Sequence, residues 1–184
     1  IYTSRPDGSG RVQVTDEPFA NDHAPTWSPE GTGIAFLSSR DHDVRHDPEE
    51  CDAAYGDHHA EEVYAAPARG GDATRLTRHN TYKFTPVWSP TGPLIAYTAA
   101  CSIDRCDQQN NDVFVVSPDG GRRNLTRTPR REEERPAWSP DGDVVVYASH
   151  RGVDARIEAV NVRTGNRRIV YESHDRDFDP HWRL

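Results

Sequence analysis

Tryptophan occurs four times in this chain, and every time in the same setting. The stretches His23-Ala-Pro-Thr-Trp27-Ser-Pro-Glu-Gly31, Phe84-Thr-Pro-Val-Trp88-Ser-Pro-Thr-Gly92 and Glu134-Arg-Pro-Ala-Trp138-Ser-Pro-Asp-Gly142 align, and Phe178-Asp-Pro-His-Trp182 opens a further copy. A rare residue does not fall in one slot of a repeat by chance. Repeats of this kind constrain the fold before composition is considered, because each copy is one supersecondary unit that must stack on its neighbours to bury its faces.

Each complete copy leads into a short β-rich run: Gly33-Ile-Ala-Phe-Leu37, Leu94-Ile-Ala-Tyr97 and Val144-Val-Val-Tyr147. The pattern predicts a hairpin in which the strand ends at Trp, Ser-Pro sets the turn and Gly closes it in the left-handed region. A second hairpin follows in each unit. Its first strand is Val63-Tyr64-Ala, Val113-Phe-Val-Val116 or Ile157-Glu-Ala-Val160, and its turn is Arg69-Gly-Gly71, Pro118-Asp-Gly-Gly121 or Thr164-Gly165. Its second strand is Thr74-Arg-Leu76-Thr77, Arg123-Asn-Leu125-Thr126 or Arg168-Ile-Val-Tyr171. The unit is therefore four antiparallel strands, A to D, at the spacing of a propeller blade. The expected organisation is a half blade at 1–16, blades at 22–77, 82–127 and 133–171, and the opening strand of another at 177–184. The expected fold is all-β, a partial or small β-propeller, with no helix longer than a turn or two outside 41–60. The tryptophans are read as core between blades rather than as a ligand cage.

The series W-S-P-D-G, I-A-F/Y, a variable loop, V-Y/F-V, D-G-G and L-T resembles the TolB-like (PD40, WD40-like) repeat. The resemblance covers essentially the whole chain. It is specific for fold and says little about function, since propellers serve binding, scaffolding and catalysis alike. It implies a bacterial, extracytoplasmic (periplasmic or secreted) setting. Propellers close with roughly 4–8 blades, so this chain reads as an excerpt, and its open blade edges make self-association an expectation.

In a propeller the B–C and D–A connections emerge on one face and the A–B and C–D turns on the other. The second set here is uniformly tight. Two B–C connections are long, Asp41 to Glu62 and Ala99 to Asn111, and they belong to adjacent blades. Long loops on a rigid scaffold are where function usually sits. The first is rich in imidazole and carboxylate, and Asp41, Asp43, His46 and Asp47 are candidate ligands for Ca or Zn. No defined metal motif is matched, and a solvated acidic loop is the alternative. The three cysteines, Cys51, Cys101 and Cys106, leave at least one thiol unpaired within the chain. Cys101 and Cys106 bracket a short loop and are the candidate disulfide, against three free thiols.

The D–A loops surround the channel mouth with a mixed-charge rim. Tyr55, Tyr82, Lys83, Arg130 and Arg131 are the candidate partner-binding residues, because Tyr and Arg are enriched at binding hot spots. Tyr82 packed under its own loop and Arg131 paired with Glu133 or Glu134 are the plain alternatives. The formal net charge of −8 disfavours nucleic acid and anionic lipid. No apolar run approaches the ~20 residues that span a bilayer. There is no G-x-S-x-G elbow, P-loop or dinucleotide fingerprint, so no catalytic residue is assigned.

The leading expectation is a non-catalytic module that docks a protein or peptide through its loop-rich face. The resemblance also admits the propeller cap of a prolyl-oligopeptidase-type serine hydrolase. Least favoured is a metal-dependent sugar lyase. That reading needs inward histidines on several blades, and His23 and His181 flank the first and last tryptophans whereas Thr85, Val87, Arg135 and Ala137 occupy the intervening slots.

Overall fold

The structure, a computed structural model, describes residues 1–40, 61–78, 81–100 and 110–173. Every regular element among them is a strand. A two-stranded sheet pairs β1 (Tyr2–Thr3) with β2 (Val12–Gln13). Three four-stranded antiparallel sheets follow in chain order. The first holds β3 (Asp22–Trp27), β4 (Gly33–Ser38), β5 (Glu62–Pro67) and β6 (Thr74–Arg75). The second holds β7 (Lys83–Trp88), β8 (Ile95–Ala100), β9 (Asn111–Val116) and β10 (Arg122–Asn124). The third holds β11 (Glu132–Trp138), β12 (Val144–Arg151), β13 (Asp154–Asn161) and β14 (Arg167–Ser173). The last B–C hairpin is tight and its strands run longer than the sequence pattern suggests.

The Ser-Pro turns form as the repeat requires. The amide of Ser28 donates to the carbonyl of Gly33, that of Ser89 to Leu94 and that of Ser139 to Val144, all at 2.8–2.9 Å. Gly31 and Gly142 are left-handed, at φ 67° and 74°. Gly92, which precedes Pro93, is not left-handed. Each A strand also carries a β-bulge, at His23/Thr26, Phe84/Val87 and Glu134/Ala137. Inside each bulge the residue before proline is left-handed: Ala24 at φ 51°, Thr85 at 48° and Arg135 at 51°. The bulge re-aims the innermost strand at the same point of every blade.

Strands β8 and β9 are buried on both faces, which is why they read as apolar runs rather than alternating ones. Alternate residues serve opposite neighbours. Ile34, Phe36, Tyr64 and Ala66 pack towards Val14 of the N-terminal hairpin. Ala35, Leu37 and Val63 pack against Ile95, Tyr97, Phe114 and Val116 of the second blade. Ala96, Val113, Val115 and Leu125 then meet Trp138, Val145, Tyr147 and Val160 of the third.

The tryptophans lean on the preceding blade. Trp138 is 7% exposed and its Nε1 donates to the carbonyl of Val87 at 2.9 Å. Trp88 lies so near Gly33 that a Cβ there would come within 3.5 Å of the indole. Trp27 departs from the expected core role, at 52% exposed. Its preceding neighbour is only the β1–β2 hairpin, which is too narrow to cover the ring.

Candidate functional site

The ends of strands B and D and the starts of strands C and A meet at one edge of the sheets. There the repeat builds a polar layer that the sequence reading passed over. The threonine of each Leu-Thr pair folds its hydroxyl back onto strand C. Thr77 Oγ1 accepts from the amide of Val63 at 2.9 Å and donates to Glu62, and Thr126 Oγ1 accepts from the amide of Val113 at 3.0 Å and donates to Asp112 at 3.0 Å. The carboxylate of strand C then faces the residue three places before the proline of the next A strand.

At the first full junction that residue is Lys83, whose Nζ lies 2.9 Å from Glu62 and donates to the carbonyls of Thr81 and Glu61 at 2.8 and 3.1 Å. Arg75 adds a second cation to Glu62 at 3.2 Å. Lys83 is only 2% exposed, which corrects its expected place on a partner-binding rim. It is an internal counter-ion, because the blade junction buries Glu62 and a buried carboxylate needs a partner. Burial pulls its ammonium down to about 8 against the opposing pull of Glu62.

At the next junction the equivalent residue is Glu133, and it too faces an acid. Asp112 accepts from Asn124 Nδ2 at 2.6 Å, from Thr126 and from the amide of Thr128 at 2.9 Å. Glu133 takes Thr128 Oγ1 at 2.5 Å and Ser149 Oγ at 3.3 Å. Burial, with Asp112 beside it, pushes the Glu133 carboxyl up to about 8. Around neutral pH the pair therefore shares one proton, as close carboxylates do. Near the N-terminus, Asp22 holds the same slot and meets Arg40 Nη2 at 2.6 Å. Burial alone would raise its carboxyl, but the hydrogen bonds from Arg40 and Ser38 hold it below the usual value.

Outside this layer lies a cleft of about 310 Å³ between the second and third blades. It is lined by Phe84, Thr85, Thr98, Asn111, Glu132, Glu134 and Arg135. The two bulge residues, Thr85 and Arg135, are part of the lining, so the repeated kink of strand A shapes it. Thr98 and Asn111 form a buried floor, at 1% and 4% exposure. Among the described residues, Asn111 Oδ1 has no hydrogen-bond partner. Glu134 stands 4.0 Å from His150, an ion pair only when the imidazole is protonated.

Among the other candidates, Arg130 is exposed and left-handed at φ 69°. Arg131 is half-buried. Its guanidinium donates to Oγ and the carbonyl of Ser149 at 2.7 and 3.0 Å, not to Glu133 or Glu134. Tyr82 is half-buried, and its carbonyl accepts from the amide of Ala100 at 3.1 Å. Tyr55, the metal candidates Asp41, Asp43, His46 and Asp47, and the cysteines Cys51, Cys101 and Cys106 lie outside the described residues. Among the described residues no group of three His, Cys, Asp or Glu side chains could hold a metal ion. No helix among them is long and apolar enough to cross a membrane. The opposite edge of the sheets offers tight turns closed on themselves: Asp119 takes Ser117 Oγ, and Asp141 takes Ser139 Oγ at 2.5 Å. Those hydrogen bonds hold both exposed carboxyls below their usual value.

Four-stranded antiparallel sheets stacked face to face and joined D to A define a partial β-propeller. Its fold is that of TolB-like propellers. It superposes on a putative TolB from Agrobacterium tumefaciens with a TM-score of 0.65 at 22% identity, covering 93% of this chain and 56% of that one. An oligogalacturonate lyase in complex with manganese gives 0.66 at 17% identity, covering 89% and 47%. In sequence, the chain is 28% identical over 123 residues to the uncharacterized peptidase YuxL of Bacillus subtilis, a match covering 62% of this chain and 15% of that protein. The chain thus spans about half of the structures it resembles and a small part of that relative. No family model matches it.

Proposed function

We propose that this chain is a non-catalytic binding module of the PD40 repeat type, which docks a protein or peptide through the edge that carries the B–C and D–A connections. The observation that carries the reading is the contrast between the two edges. One presents a cleft, an exposed Phe84 and an exposed Arg130. The other presents turns whose polar groups are already satisfied within each turn. Binding needs concave, unsatisfied surface, and of these two edges the first offers it. The likeness to TolB supports this reading and its extracytoplasmic bacterial setting. The test is crosslinking to partners in the native extract with charge reversals on each edge. Arg130→Glu with Glu134→Lys weakens capture, and Asp119→Lys with Asp141→Lys leaves it intact. The reverse pattern overturns the assignment.

A second reading, the propeller cap of a serine peptidase, is favoured by the 28% identity to YuxL. In it the same edge admits peptide to a hydrolase domain encoded elsewhere in the gene. A G-x-S-x-G segment in the full coding sequence, with peptidase activity lost on replacing its serine, decides for it.

A further inference from the structure

We infer that the cleft between β7 and β11 seats a cationic nitrogen carried by a peptide, which rests on the peptide-docking reading above and names its ligand chemistry. Three observations converge. The lining carries two carboxylates, Glu132 and Glu134, beside the Arg135 guanidinium, and carboxylates around a cleft attract a cation. The floor carries Asn111, 4% exposed, whose carbonyl oxygen has no donor among the described residues. A buried acceptor without a donor is costly, so a ligand that supplies N–H groups gains more here than at a site already satisfied. The wall carries the Phe84 ring, 38% exposed, and an aromatic face attracts ammonium and guanidinium groups.

The site is also built on rigid elements. Thr98 and Asn111 belong to the paired strands β8 and β9, and Glu132 and Glu134 to the ladder of β11 with β12. The bulges at Thr85 and Arg135 turn the mouths of the two innermost strands into one concave surface. A volume of about 310 Å³ admits a basic side chain or an amino terminus, but not a folded element.

The test is a titration of the 184-residue chain followed by amide resonances. The probes are the blocked pentapeptide Ac-Ala-Ala-Lys-Ala-Ala-NH2, its Arg, Glu and acetyl-lysine counterparts, and a penta-alanine amide with a free amino terminus. The lysine or arginine peptide shifts the resonances of Thr98 and Asn111, and acetylation of the lysine weakens binding by roughly tenfold, the loss of one charge-assisted contact. A free terminus that binds while the internal lysine does not assigns the seat to chain ends instead of side chains. Glu134→Gln reproduces the loss without changing shape. Acetylation removes the charge from the ligand alone, so it tests the seat on unaltered protein. Equal binding of the lysine, acetyl-lysine and glutamate peptides, or shifts confined to other residues, overturns the inference. If the peptides still bind elsewhere on the same edge, the docking reading survives the loss of this seat. If the peptides seat in the cleft while charge reversal leaves partner capture unchanged, the seat survives the loss of the docking reading.

Discussion

Lys83 and Glu133 show how much one side chain changes a junction when the backbone around it is repeated. Both stand near the start of an A strand, both are buried and both face an acid on strand C of the blade before. The first is an ion pair, the second a proton-sharing acid pair, and their pH dependences fall in different windows. Glu133 ionises near 8 in the folded chain and near 4.5 when unfolded. The folded state binds the extra proton, so the stability it contributes is complete below about 4.5 and is lost as pH rises through 8. The fall is on the order of a few kcal/mol. Glu133→Gln should flatten that slope in denaturant melts between pH 5 and about 8. An unchanged slope would show that Glu133 is not the group holding the proton. Lys83 runs the other way. Its pKa falls from 10.5 to about 8, so the unfolded chain binds the proton more tightly and stability rises between those values. A stability minimum near pH 8 is the combined expectation.

At the scale of elements, the A–B hairpin is the repeated part, and its copies differ in what they touch. Gly31 and Gly142 hold the same slot with similar positive φ. A Cβ on Gly31 would meet nothing within 4 Å, whereas one on Gly142 would collide with Thr91 Oγ1 in the neighbouring hairpin. Gly31→Ala should therefore cost about 1 kcal/mol, the backbone penalty alone. Gly142→Ala should cost more, since Thr91 Oγ1 also donates to the carbonyl of Asp141 at 3.1 Å. Equal costs in urea melts would mean that the hairpins do not abut. The tryptophans give the same kind of contrast. Trp138→Ala removes a buried indole and its hydrogen bond to Val87, at about 3–5 kcal/mol, and Trp27→Ala at a half-exposed ring costs under about 1 kcal/mol.

For the whole molecule, the open question is what meets the two ends of the stack. Trp27 is exposed at one end, and Ile169, Val170 and Tyr171 on β14 are 49–55% exposed at the other. Apolar surface of this kind on an edge strand favours association. The isolated chain should therefore self-associate with rising concentration in sedimentation experiments. Ile169→Lys with Tyr171→Lys should shift it towards monomer. A monomer at all concentrations would show that these residues are tolerated in water.

The repeat was legible because its signals are local. Ser-Pro and Gly dictate a turn, β-branched and aromatic runs dictate strands, and the recurrence of Trp dictates stacking, so the all-β propeller architecture follows from residues read in order. The face that carries the long connections follows too, since antiparallel strands alternate direction. The cleft and the polar layer do not. Leu76-Thr77 and Leu125-Thr126 read as strand ends, and nothing local says that their hydroxyls close on Glu62 and Asp112. Lys83 reads as a surface cation because a single lysine in a loop-flanking position usually is one. Only the approach of β5 to β7 buries it. Asn111 gains meaning only when β11 comes alongside and the two share a cleft, with its oxygen given no donor by the described residues. Burial and charge pairing depend on which strands meet across blades, and those neighbours lie far apart in the chain, so tertiary structure alone decides them.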